Sequence, residues 1–294
     1  MAVGIRAGLG QVQRKRLGYI DFRLYFLGGC RGRTSRRGSV SRQLARPAIW
    51  PSTGRSTPTN IVFDGSSKTY RIGPAFRPFF DHSLDRTLTA LSQGLGGAGG
   101  SMLPCEFPEP INRPATDTLA TITRVIRAGA ALSVSSVSPG RGETEREIVP
   151  FSLADNGLRW QARAFDRKSG TYRDFVLTRI RRAASVPGDA PRPSEGPAND
   201  IQWNRVVELE VVPHPDSLRP EIAVLDYPME DGVLRLRARA ALAGYVLRRW
   251  SVDCSPEHSL SGPEYQLWLR DPLALYGMES ATLAPGYVPP GERG

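Results

Sequence analysis

Acidic residues are almost absent from the first fifth of this chain. Residues 1–60 hold 12 Lys/Arg and a single acid, Asp21, whereas the other 234 residues hold 27 Lys/Arg and 28 acids. The net charge of +10 therefore lies in the N-terminal segment. A block of this kind points to a phosphate-backbone partner, with a merely solvated basic arm as the alternative. Apolar runs of membrane-spanning length are also missing, and basic residues interrupt any secretory pattern at the N-terminus. A cytoplasmic location without membrane contact is the expectation.

Cysteine and histidine are scarce. Cys30, Cys105 and Cys254 are odd in number and far apart, and no CxxC pair occurs. That argues against a disulfide framework and against zinc. None of His82, His214 and His258 has a second His or a Cys at ligand spacing, so no metal site is expected. His214, in PHPD, reads as a residue that caps or packs a turn. Ser138 has no evident His/Asp partner, Gly94 to Gly100 lacks the Lys-Ser/Thr of a P-loop, and Asp226 and Asp231 share a turn rather than forming an acid/base pair. Neither a cofactor nor catalysis is expected from this set.

What is present falls into three parts. Leu17, Ile20, Leu24 and Leu27 recur at spacings of three and four, which predicts a helix over 12–27 stopped by Gly28 and Gly29. Asn60 to Ile72 reads as a hairpin turning at Asp64-Gly65-Ser66-Ser67. Between them, Gly28 to Pro58 carries seven arginines and neither acid nor lysine, and it reads as a structureless loop. Further on, 84–100 starts helical and dissolves into glycine. A helix is predicted over 117–128, with Leu119, Ile122 and Ile126 on one face. Strands follow at 132–138, 147–153, 160–166 and 172–180, the pattern of a small barrel. Ala183 to Asp200 is a Pro-rich linker. Strands at 206–212, 233–239 and 265–269, with a helix at 240–250, predict a small α+β sandwich.

The hairpin LRWQARAFDRKSGTYRDFVLTRI (Leu158 to Ile180) resembles the signature of the WYL-domain transcriptional regulators. Trp160-Gln161-Ala162 stands where that family's naming triplet stands, and YRDFVLTRI is its Arg-rich second strand. RLGYIDFRLYF and YRIGPAFRPFF resemble the first helix and the wing exit of the winged-helix members linked to phage-defence operons. PHPDSL, LDYPMEDG and RAALAGY resemble their C-terminal extension. Gln161 replaces a Tyr or His, Ala162 a larger aliphatic, and Ser136-Val137-Ser138 a Tyr-x-Ser pattern.

The resemblance implies an α+β multidomain chain. Its parts are a winged-helix DNA-binding domain over 1–75, a helical linker over 76–118, an Sm/SH3-like WYL barrel over 119–182, a linker over 183–200 and a C-terminal dimerisation domain over 201–290. The winged helix is anomalous over 28–58, where no helix-turn-helix can be read. Arg, Ser, Pro and Gly without Lys are what a GC-rich gene yields in another frame, so compensating frameshifts and a divergent basic loop are both open.

The hairpin mixes arginines with large rings. Alternation places Gln161, Arg163 and Phe165 on one face and Trp160, Ala162 and Ala164 on the other. Arg173, Phe175, Leu177 and Arg179 share a parity unless a bulge intervenes. Guanidinium forks beside a ring suit a nucleotide or short nucleic acid. The expected ligand residues are Ser138, Gln161, Arg163, Arg173 and Arg179, with Phe165 packing or stacking and Trp160 in the core. The bland alternative pairs these arginines with Asp166, Asp174 and Glu145 on the surface. For DNA, the candidates are Arg14, Lys15 and Arg16 on the first helix and Lys68 and Arg71 on the hairpin. The expectation is a homodimeric, ligand-responsive regulator, a repressor of a defence or stress operon. The alternative is a nucleotide- or RNA-binding accessory module without an operator.

Overall fold

The computed structural model describes residues 10–31, 61–74, 76–94, 101–106, 111–186 and 190–291. The chain divides into two compact units, Met1–Pro108 and Glu109–Gly294.

In the first unit, helix α1 (Gln11–Leu27) buries Leu17, Ile20 and Leu24, the predicted apolar face. Gly28 stops it in the left-handed conformation, φ 71°, which glycine adopts without a Cβ penalty. The chain then forms β1 (Gly29–Arg31), which pairs antiparallel with the hairpin strand β3 (Thr69–Ile72), itself paired with β2 (Ile61–Asp64). The sheet order is β1-β3-β2. The segment expected to be structureless from Gly28 therefore starts as an edge strand, because Gly29–Arg31 can complete the open side of β3. Residues 32–60, which hold the rest of the anomalous segment, lie outside the described residues.

Asp64 builds the hairpin turn. Its carboxylate accepts from the Ser66 hydroxyl at 2.6 Å and the Ser67 hydroxyl at 2.7 Å, and from both backbone N–H groups. Those bonds hold the carboxyl well below the usual range. Asp21 is fully buried and ties α1 to the chain that leaves the hairpin. It accepts from the Phe79 and Phe80 N–H groups at 2.9 and 3.0 Å, and its Oδ2 lies 3.0 Å from His82 Nε2. Helix α2 (Leu84–Gln93) follows.

The second unit opens with α3 (Thr116–Ala128), whose Ile122 and Val125 pack onto a five-stranded antiparallel sheet. Its strands are β4 (Leu132–Ser138), β5 (Gly142–Asp155), β6 (Trp160–Asp166), β7 (Thr171–Val176) and β8 (Ile180–Ser185), in the order β7-β6-β5-β4-β8. Strand β5 serves two neighbours: up to Ile148 it pairs with β4, and from Ile148 onward with β6. The end strands β7 and β8 do not pair, so the strands expected to form a small barrel make a sheet that does not close. A 3₁₀ turn, Leu177–Arg179, carries the chain from β7 to β8 and interrupts the ladder there. It also removes Arg179 from the strand face on which the alternation had placed it.

Residues 190–200 are fastened, not free. Two 3₁₀ turns, Pro193–Glu195 and Pro197–Asn199, lie against the sheet. Tyr172 donates its hydroxyl toward the Ser194 and Gly196 carbonyls, at 2.9 and 2.7 Å. A short helix, α4 (Ile201–Asn204), leads into the C-terminal layer. There, β9 (Val206–Pro213), β10 (Leu234–Arg239), β11 (Val252–Asp253) and β12 (Leu267–Leu269) form a sheet in the order β10-β9-β12-β11. Between them run α5 (Pro220–Asp226) and α6 (Ala240–Arg249). His214 caps its turn as expected: its Nδ1 accepts from the Asp216 N–H at 3.2 Å.

Gly244, in the middle of α6, is set by close approach. A Cβ there would stand 1.7 Å from the Ser280 carbonyl oxygen. The Ser280 hydroxyl donates to the Ala240 carbonyl at 2.6 Å and accepts from the Gly244 N–H at 3.0 Å. Gly244→Ala should therefore destabilise the chain by about 1–3 kcal/mol despite alanine's better helix propensity, because the 279–283 turn must move away. Thermal unfolding of the two proteins checks this; an unchanged or raised Tm contradicts it.

Candidate functional site

The opposed register of β6 and β7 decides which hairpin residues meet. Arg163 stands across from Asp174, Gln161 from Val176 and Phe165 from Tyr172, so these share one face. Ala162 and Ala164 face the core with Phe175 opposite Ala162. Arg173 is opposite Ala164, on the face away from Arg163. Ala162, the small residue of the departed triplet, is thus a core residue. Trp160 is 44% exposed rather than buried, because it opens β6 at the end paired with Asp155, beyond the core.

Arg163 is 3% exposed, and its whole guanidinium is engaged. Nε and Nη2 donate to the two oxygens of Asp200 at 2.7 and 3.1 Å, while Nη1 donates to Asp174 at 3.3 Å. Burial works against the charged form, but the two carboxylates outweigh it and the guanidinium pKa is raised. Burial also pushes the Asp174 carboxyl up, with Arg163 opposing. Asp200 is itself fixed: it accepts from the Trp203 N–H at 3.0 Å as the N-cap of α4.

Above this pair lies a cavity of about 490 Å³ lined by Arg163, Tyr172, Arg173, Asp174, Tyr245 and Glu279, among others. It is bounded on one side by β6 and β7 and on the other by α6 and the 279–283 turn. Burial, then the Asp174 charge, raises the Tyr245 hydroxyl pKa; Gln161 lies beside that hydroxyl. Gln161 is 1% exposed, with its side chain turned to the Tyr245 hydroxyl.

Of the predicted ligand residues, Gln161, Arg163 and Phe165 come together on one face, and Arg173 borders the cavity while its Nε donates to the Thr171 hydroxyl at 3.2 Å. Phe165 packs edge-to-face on Tyr172, ring centroids 5.2 Å apart. Ser138 does not join them. It pairs with Gly142, whereas Arg163 pairs with Ser152, ten residues further along β5, or about 33 Å of straight strand. Arg179 sits in the 3₁₀ turn. The alternative pairing holds in part: Arg163 donates to Asp174, though buried rather than on the surface, and Arg173 Nε lies 3.8 Å from Asp166, whereas Glu145 is taken by Arg182. Sequence reasoning missed Asp200, Tyr245 and Glu279, which come from a linker, a helix and a turn. Only RAALAGY, in which Tyr245 is the last residue, carried a signal.

Of the DNA candidates, Arg14 and Lys15 are exposed on α1, and Lys68 and Arg71 on the hairpin. The Arg16 side chain lies outside the described residues. Lys68 takes φ 50° at the turn, and Arg71 lies 3.5 Å from Asp64. Among the described residues no group of three or more His, Cys, Asp or Glu could hold a metal ion, and no helix is long and apolar enough to cross a membrane.

Residues 117–185 match the family model of the WYL domain, and residues 206–275 that of the BrxR transcriptional regulator C-terminal dimerization domain. The chain is 30% identical over 288 residues to the DNA-binding transcriptional repressor CapW of Escherichia coli (strain KTE188), covering 93% of this chain and 94% of that one. Proteins of the same name from Stenotrophomonas maltophilia and Pseudomonas aeruginosa match at 29% and 28%, covering 88% and 82% of this chain and 93% and 84% of theirs. The chain belongs to the WYL-domain transcriptional regulators. Among solved structures, Proteasome accessory factor B/C (PafBC) of Arthrobacter aurescens overlaps 74% of this chain and 36% of that one at 17% identity. Its TM-score of 0.27 is too low to describe the fold.

In this WYL regulator the cavity bridges the two matched regions. Arg163 comes from the WYL match, Tyr245 from the dimerization-domain match, and Asp200 from the stretch between. A second ion pair fixes that stretch. Arg167 donates through Nε and Nη2 to the two Glu195 oxygens at 2.8 and 2.9 Å. That bonding holds the Glu195 carboxyl below its usual range. A depressed carboxylate contributes stability above the ordinary glutamate pKa and loses it as pH falls through the folded value. Glu195→Gln should therefore lower stability at pH 7 by about 1–3 kcal/mol. The gap to wild type should close as pH falls below about 4.3. Urea unfolding from pH 7 to 3 measures it; a gap independent of pH contradicts the ion-pair account.

Proposed function

We propose that this chain is a DNA-binding transcriptional repressor that acts as a homodimer and responds to a nucleotide or other anionic ligand. The observation that carries the repressor reading is its likeness, over nearly its whole length, to proteins named DNA-binding transcriptional repressor CapW. The dimerization-domain match supports the homodimer. A defence or stress operon is the proposed setting. The domain partition expected from sequence is kept: DNA reading over 1–75, ligand sensing over 119–182 and dimerisation over 201–290. The first unit is read as a winged helix and the open five-stranded sheet as a form of the Sm/SH3-like barrel.

For DNA, the exposed Arg14 and Lys15 and the hairpin's Lys68 and Arg71 support contact with phosphates, with Arg16 kept from the sequence reading. Each such contact adds about one unit to the dependence of binding on salt. Charge reversal at Lys15 or Arg71 should weaken binding to an operator duplex and lower its salt slope by about 1. Titration at several salt concentrations reads this. A slope equal to that of wild type removes these residues from the interface.

For the ligand, the support is the unequal grip on Arg163. Asp200 holds two of its nitrogens; Asp174 holds one, at a longer distance and at the cavity wall. An anionic group entering the cavity takes the Asp174 position on Nη1, while Asp200 keeps the guanidinium in place. Asp174 is then a competitor of the ligand, and its raised pKa gives a signature. Its charge is lost as pH falls toward the folded value, so affinity for a short single-stranded oligonucleotide should rise in that range. Asp174→Asn should tighten binding about tenfold at pH 7, the scale of one like charge removed at close range, and should abolish that rise. Calorimetric titration across pH tests it; unchanged affinity in the variant overturns the anionic reading of this cavity.

A further inference from the structure

Helix α5 is built the wrong way round for a helix that covers only its own domain. Of its seven residues Pro220–Asp226, Ala223 is buried, while Ile222, Val224 and Leu225 are exposed. Ile222 and Leu225 stand three apart and share a stripe directed away from the core. Leu218, just ahead of the helix, is 99% exposed and Leu225 is 84% exposed. Single exposed leucines are ordinary; an apolar stripe on one short element is not. At its far end the stripe meets a ring: Tyr227 packs edge-to-face on the half-exposed Trp250, centroids 6.0 Å apart. Beside it runs a cleft of about 430 Å³ lined by Leu218, Arg219, Ile222, Leu260, Pro263 and Tyr265, among others.

Ridge and cleft lie on the same element, which is what a two-fold contact requires, since one patch must fill and be filled by its own copy. The bordering charges are also of both signs: Arg219 and Glu221 lie 3.8 Å apart at the surface and can exchange partners across a two-fold axis. A nucleic acid would meet no basic surplus here. The patch lies wholly within residues 206–275, the region matched as a dimerization domain. We infer that the α5 stripe, Leu218, Ile222 and Leu225 with Trp250 at its edge, is the surface on which a second copy of this chain seats. This rests on the homodimer reading above and names the surface that serves it.

Sedimentation of the full chain over a range of concentrations tests this, with circular dichroism to confirm the fold. Leu225→Asp and Leu218→Asp change exposed side chains with little packing to lose. Each should raise the dimer dissociation constant by roughly 30-fold or more, the size of a hot-spot loss, and Trp250→Ala should act in the same direction. Ile111→Asp, equally exposed but outside the patch, should leave it unchanged. Dimeric wild type with dimeric Leu225→Asp and Leu218→Asp removes the surface while sparing the homodimer. Wild type that sediments as a monomer throughout removes both. An Ile111→Asp variant that dissociates as readily also removes the surface, because loss of the dimer would then not depend on α5.

Discussion

The buried Arg163 guanidinium is the joint on which the second unit depends. A charge out of water is tolerable only with its partners in place, and here the partners come from two different elements. Asp174 is a cross-strand neighbour on β7. Asp200 arrives from the end of a linker and at the same time caps α4. The ion pair thus requires the linker to stop at one place and α4 to start there. From α4 the placement spreads: Arg239 stacks on Trp203 with its guanidinium 4.6 Å from the ring centroid and donates to the Trp203 carbonyl, and the Arg205 carbonyl accepts from the Ala240 N–H at the start of α6. One desolvated cation therefore orients the C-terminal layer against the sheet. Such pairs add less stability than their distances suggest; what they supply is the penalty for any other arrangement.

The first unit uses the same device with the sign reversed. Asp21 is the only acid in a strongly basic segment, and it is fully buried. Its two oxygens take both N–H groups of Phe79-Phe80 and face His82. The surrounding rings of Phe22, Tyr25 and Phe26 pack against the His82 ring at 5.3–6.1 Å and exclude water from the carboxylate. Burying the one acid of residues 1–60 keeps its charge away from the exposed Arg14 and Lys15 of α1.

Elements governed by local chemistry were legible in the sequence. α1, α3, β4 and β6 lie within a residue or so of the predicted bounds, because periodicity, Gly28 and Gly129 at the helix ends and the turn residues all agree. What was not legible depends on partners distant in the chain. Alternation placed Gln161, Arg163 and Phe165 on one face, but it could not show that the Arg163 fork was already filled, because Asp200 is 37 residues away. It put Arg173 with Arg163, when only the pairing register decides which residues of two strands share a face. It carried Arg179 along the strand because a 3₁₀ turn has no strong sequence mark here. Composition reads 183–200 as a Pro-rich linker, yet 183–185 complete β8, and Tyr172 and Arg167, both read as parts of the hairpin, hold 194–196.

A ligand can act on such a regulator only through a difference in its affinity for two arrangements of the chain. The Arg163 joint supplies a place for that difference. Asp174 is the weaker and costlier of its two carboxylates, pushed up by burial, so replacing it relieves a penalty instead of creating one. Asp200 is the partner that reaches α4 and through it α6. On the proposed ligand reading, an anion that only substitutes for Asp174 would leave Asp200 and the α4 cap in place, whereas one that also drew Nη2 from Asp200 would remove a bond that positions that cap.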